Sequence, residues 1–172
     1  MNNLIQTRIL RKLFLPVCLF LFTITAALQV NAQEKPPKPI QVKVSTLRHL
    51  SFGTFIQSGT HGTVIVTHEG IRSKTGDIIL PNMSSIVTAA LFEVYSLPGT
   101  LVTILNGPVS ELTGSNGGTL LLTIGTSSTG SPFITTGELT YVSIGGELEV
   151  GSLGEDPAGI YSGSFTVTFI QE

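Results

Sequence analysis

The sequence predicts an all-β fold, an immunoglobulin-like antiparallel β-sandwich in a single domain. Three observations carry that expectation. Apolar runs of about six residues recur along the chain between clusters of Gly, Pro, Asn and Ser, the spacing of a sandwich or barrel. Nineteen glycines among 172 residues fall mostly at the ends of those runs, where turns need them. Helix signals are nearly absent: the best window, "SSIVTAALFEVYS", is crowded with β-branched and aromatic residues and stops at "LPGT", so it reads as a strand.

In chain order, "MNNLIQTRILRK" carries three cations and no acid, and an uncharged apolar run follows it, ending at "VNA". This predicts a secretory signal peptide over residues 1–32, cleaved after Ala32. Pro16, Thr23, Thr25 and Gln29 shorten the apolar run against a signal anchor, and Val17 before Cys18 disfavours lipidation. The mature chain then keeps no cysteine, and burial and strand pairing alone must hold an exported domain.

Residues 33–45 read as a Pro-rich extension that becomes a short alternating strand through Ile40, Val42 and Val44. The sandwich is expected over 46–172. Its candidate strands are "LSFGTFI", "GTVIVTH", "GDIILP", "VTAALFEVYS", "TLVTILN", "GTLLLTI", "ELTYVSI", "GELEVG" and a closing "IYSGSFTVTFI". "DIILP" and "TLLLTI" are apolar on both faces and read as buried on both. In the closing run Tyr161, Gly163, Phe165, Val167 and Phe169 alternate with Ser162, Ser164, Thr166 and Thr168, the period of one strand. An outer-membrane barrel is disfavoured because there is no tryptophan, only three tyrosines, and no aromatic girdle.

Five stretches in order resemble a family of bacterial secreted domains, domain of unknown function 4402. They are "LSFGTF", "GTVIVTHEGIRSKTGDIIL", "AALFEVYSLPGTLVTI", "GGELEVGS" and "PAGIYSGSFTVTF". The last is also similar to the final strand of spore-coat-protein-U-like domains and of chaperone-usher pilus subunits. That resemblance implies assembly by strand addition. Phe165, Val167 and Phe169 would line the core at the edge of a groove, with Ile40, Val42 and Val44 on the donated strand.

Charge narrows the partners. Without the leader, six Lys and Arg face eleven acids, for a formal net charge of −5, and no cation follows Lys74. This excludes a nucleic-acid surface, which needs clustered cations. No transmembrane segment is expected once the signal is cleaved.

No catalytic, cofactor or metal residue is predicted. His49, His61 and His68 lack short ligand spacings. No "G-x-S-x-G" elbow accompanies the serines. Glu147 and Glu149 share one strand face as ordinary solvated acids, Asp156 before Pro157 marks a turn, and the acidic stretch lacks the loop spacing of a calcium site.

The expected function is therefore a non-catalytic structural or adhesive protein of the periplasm, cell surface or medium, joined to itself or to another surface subunit. The alternative is a glycan-binding module using Tyr95, Tyr141 or Tyr161, although Tyr161 equally suits a tyrosine corner. An extracytoplasmic enzyme is third.

Overall fold

A computed structural model describes residues 48–82 and 85–172, and the main chain of 41–44. The leader, the Pro-rich extension and Ile40 lie outside the described residues. Eleven strands and no helix occur among those described: β1 (Gln41–Val44), β2 (Ile56–Val66), β3 (Arg72–Ile79), β4 (Ala90–Tyr95), β5 (Leu101–Asn106), β6 (Ser110–Gly114), β7 (Thr119–Ser127), β8 (Phe133–Ile134), β9 (Leu139–Val150), β10 (Tyr161–Ser162) and β11 (Val167–Gln171).

All pairings between these strands are antiparallel, and they form two sheets. The larger has eight strands in the order β1-β4-β9-β7-β6-β10, with the β2–β3 hairpin joined to β9, and the smaller runs β11-β5-β8. The domain is thus an all-β, antiparallel sandwich.

β9 is the seam of the large sheet. Its first half, Leu139–Ile144, pairs with β4, and its second half, Gly146–Val150, pairs with β2. β7 occupies the opposite edge. β2 and β4 therefore lie end to end along one edge of β9, meeting at Gly145. A Cβ there would sit 2.0 Å from the Val66 carbonyl oxygen, where β2 leaves the sheet. "ELTYVSI" and "GELEVG" are accordingly one strand, because the Gly145–Gly146 pair makes room for a crossing chain instead of a turn.

Alternation decides what is buried. Phe92, Val94, Val142, Ile144, Leu148, Val150, Leu120, Leu122 and Val64 point inward and form the core with Val102, Ile104 and Phe133 of the small sheet. "DIILP" and "TLLLTI" have only one buried face: Ile78 is fully buried while Ile79 is 48% exposed, and Leu121 is 39% exposed between buried Leu120 and Leu122. The second layer covers one side of the large sheet, which leaves the other to solvent.

Two further expectations change. "LSFGTFI" is not a strand: Ser51 makes an isolated bridge to Thr88, and β2 starts only at Ile56. Gly53 takes a φ of 66°, which ends any ladder. The Arg72 guanidinium holds the segment by donating to the Phe52 and Thr54 carbonyls at 3.0 and 2.9 Å.

The closing run is two strands. Tyr161–Ser162 pairs with β6 in the large sheet, and Val167–Gln171 pairs with β5 in the small one. Residues 163–166 turn the corner beside Gly107, whose amide donates to the Thr166 carbonyl at 2.8 Å. Strand-period alternation survives the corner, which is why one run of sequence serves both layers.

Candidate functional site

The small sheet is three strands wide and the large one is six strands across along its ordered path. At a spacing of about 4.8 Å, three strands cover about half that breadth. The irregular segment Arg48–Gln57 roofs part of the remainder, with Leu50, Phe52 and Phe55 packed against the core. An open groove of about 1040 Å³ is left beside it. That is at the upper end of ordinary small-ligand sites.

The groove floor is the inward face of the large sheet: Phe92 from β4, Leu148 and Val150 from β9, Leu120 and Leu122 from β7, and Leu112 from β6. One wall is Arg48–Gln57. The other is the stretch from Leu153 to Phe165. Neither Phe52–Phe55 nor Gly163–Thr166 belongs to a strand, so the slot is bordered on both sides by main chain outside the ladders, pinned by Arg72 on one side and by the Gly107 amide on the other.

Hydrogen bonds fix the second wall from below. Asp156 accepts from the Gly151 amide at 2.6 Å and from the Thr119 amide at 3.2 Å. The Asn116 side-chain amide donates to the Ala158 carbonyl at 2.7 Å. Glu155 accepts from the Ser152 amide and hydroxyl. Those two bonds, the backbone one first, hold its carboxyl below the usual range. Asp156 is thus a loop clamp, consistent with the turn read from Asp-Pro.

Tyr161 is a tyrosine corner. Its hydroxyl donates to the Pro157 carbonyl at 2.6 Å while the ring packs on the core. Burial first, then the Asp156 charge, pushes its phenol pKa up. A raised pKa means that the folded state holds this proton more tightly, so the contribution is complete below the unfolded tyrosine pKa, about 10, and is lost as pH rises through the folded value. Tyr161→Phe should cost about 1 kcal/mol and flatten the decline of the urea midpoint between pH 9 and 11. An unchanged alkaline profile would mean that another group sets it.

The predicted assembly residues separate. Phe165, Val167 and Phe169 are half-buried and face the core, where Phe165 and Phe169 meet the Phe92 ring with centroids 6.5 and 5.5 Å apart. Of the three, only Phe165 lines the groove. Val42 and Val44 lie on β1, whose main chain pairs with β4 of the same molecule in the register Val42↔Val94 and Val44↔Phe92. The N-terminal strand therefore occupies the outer edge of β4 and not the edge of β11.

Tyr95 and Tyr141 lie at diagonal positions on the solvent face of the large sheet, Tyr141 opposite Glu93 and Tyr95 opposite Leu139. The Tyr95 hydroxyl reaches the Glu93 carboxylate at 3.5 Å. His49, His61 and His68 do not converge, and no group of three or more metal-ligating side chains occurs among the described residues. The resemblance placed Phe165 at the edge of a groove, but the residues of the floor and of the Arg48–Gln57 wall went unread in the sequence. The floor's one legible trace is its Leu and Val alternation, which reports a face without reporting what covers it.

Residues 42–170 match the family model described as Domain of unknown function (DUF4402). No curated protein and no solved structure matches the chain.

Proposed function

The chain belongs to the DUF4402 family, and from that premise we propose that it is a non-catalytic structural or adhesive subunit of the cell exterior, joined to neighbours by exchange of its N-terminal strand. The observation that carries this reading is the placement of β1. Four residues, Gln41–Val44, ladder onto the outer edge of β4 and, among the described residues, onto no other strand. Such an edge offers a row of main-chain donors and acceptors to any matching strand. The same four pairs form whether the strand comes from this molecule or from a neighbour.

The secretory leader read in residues 1–32 supports an exterior location. The likeness of the final strand to spore-coat-protein-U-like and pilus-subunit domains supports strand addition as the mode.

The test compares Gln33–Glu172 with Thr46–Glu172, with and without a Gln33–Ser45 peptide. The loss of four ladder pairs should lower the thermal midpoint of the short form by roughly 6–8 °C. The peptide should restore it, and the long form should populate dimers or chains at high concentration. Two equally stable monomers that ignore the peptide would end this reading.

A glycan-binding role is favoured by one observation, the exposed Tyr141 ring (56% exposed) diagonal to Tyr95 on an open sheet face. Aromatic faces attract the polarised C–H groups of sugar rings through their quadrupole. Pull-down on insoluble polysaccharides should then be lost in Tyr141→Ala at unchanged stability, and retention in that variant would remove the sugar reading.

A further inference from the structure

We propose that the outward face of the small sheet is a weak self-association surface, on which a second copy of this chain packs face to face. The contact uses neither β1 nor the β4 edge, and it stands whether or not strands are exchanged there.

Alternation puts aliphatic side chains on both faces of this sheet. Val102, Ile104 and Phe133 are buried in the core. Their neighbours point the other way: Leu105 is 50% exposed, Ile134 65% and Ile170 40%. Half-buried Leu101 lies opposite Ile134. These side chains are reachable as they stand. Strands apolar on both faces belong to sheets that are covered on both sides, and among the described residues the outer side of this one is open.

Charge selects the occupant. β5, β8 and β11 contain no charged residue, and Glu172, which follows β11, accepts from the Thr103 hydroxyl at 2.6 Å. The solvent face of the large sheet carries Glu93, Glu111, Glu147 and Glu149. With a formal net charge of −5 once the leader is removed, the molecule repels its own copy along most approaches. Contact through the small sheets places both acidic faces outermost. Layers stack about 10 Å apart, so those faces stand about 30 Å from each other, several times the roughly 8 Å Debye length of physiological salt. A cationic partner would find its complement on the large sheet and nothing on this one.

The relief of the face suits a copy of itself. Leu105 lies opposite Thr168, and Ile170 opposite Thr103. Long and short side chains therefore alternate like the squares of a checkerboard. A copy turned through half a revolution and offset by one strand sets its peaks into these hollows, as facing sheets interdigitate within a sandwich.

Size sets the strength. Three strands of about five residues make a face of about 14 by 17 Å. That falls well short of the roughly 800 Å² that each partner buries in a stable complex. The dissociation constant should accordingly lie at about 0.1–1 mM.

Sedimentation equilibrium of Gln33–Glu172 from about 20 μM to about 1 mM brackets that range and should show reversible dimers. Leu105→Glu and Ile170→Glu, made separately, place a carboxylate at exposed positions. Each should weaken the dimer at least about fivefold at a near-parental thermal midpoint. Leu121→Glu adds the same charge to the large sheet, at an equally exposed position, and should leave the dimer unchanged. An excess of the Gln33–Ser45 peptide, which competes for the β4 edge, should leave it unchanged too. Monomers at every concentration overturn the proposal, as does a dimer that tolerates both small-sheet variants or weakens equally in Leu121→Glu. Loss of the dimer to the peptide also overturns it, by assigning the association to the N-terminal segment.

Discussion

Phe92→Ala is expected to destabilise the domain by about 4 kcal/mol, the level seen when a large aromatic side chain is deleted from a packed core. Phe92 is 6% exposed and projects from β4 across the gap between the layers. It meets Phe165 edge-on, at an interplanar angle of 76°, and Phe169 at 53°. Such tilted arrangements add about 0.5–1.5 kcal/mol beyond the area they bury. Both partners belong to the closing segment, so the truncation removes the main aromatic contact by which that segment is fastened to the large sheet. The cavity would also open into the groove, because Phe92 forms part of its floor. Urea unfolding followed by fluorescence and circular dichroism gives the value directly. A loss below about 1.5 kcal/mol would mean that the site collapses around the missing ring. Tyr141→Ala, on the solvent face of the next strand, should stay within about 0.5 kcal/mol of the parent.

Gly145→Ala should cost about 3 kcal/mol or more, at or above the upper end of ordinary overpacking. Its Cβ would lie 2.0 Å from the Val66 carbonyl oxygen, 2.7 Å from the Thr67 carbonyl carbon and 2.9 Å from the His68 amide. All three are main-chain atoms, so no rotamer change relieves the clash. Either β2 must leave the sheet elsewhere or β9 must bend. Replacing glycine also restricts the unfolded chain, which returns only about 0.4–1 kcal/mol. Gly125→Ala provides the control, since its nearest neighbours would stand at 3.4 Å or beyond. Soluble yield and thermal midpoint measured for both variants decide the matter, and equal tolerance of the two would show that β2 passes β9 with room to spare.

These two positions also mark where the sequence is legible and where it is not. The alternation around Phe92, "ALFEVY", declares a half-buried strand by itself, and the structure makes it β4. The lone tyrosine ahead of the final strand likewise pointed to a corner hydroxyl, which is found on Pro157. Gly145–Gly146 misleads, because two glycines between apolar runs look like a hairpin turn. Their purpose is clearance for a chain that arrives from residues 66–68, and no local pattern announces so distant a contact. β6, "SELTG", contributes only Leu112 to the core, and β8 has two residues. Neither is long enough to register a period. The extent of the groove is hidden for a related reason: alternation reports which face of a strand is apolar, whereas the gap depends on which sheet each strand joins. The change of sheet within residues 161–171 is invisible to a period of two.

The central position of β9 sets a timetable for folding. Its neighbours β2, β4 and β7 all precede it in sequence, so during synthesis none can dock on the seam until residues 139–150 have emerged. Earlier lengths of chain can make only pairings such as β1–β4 and the hairpins β2–β3 and β6–β7, and isolated hairpins are marginal in water. β11 then has to reach back to β5 before the second layer closes. Pairings over such sequence distances place folding in the millisecond-to-second range. Until they form, the nascent polypeptide exposes its future core, and in that interval an early exit from the biosynthetic machinery carries its greatest risk of aggregation.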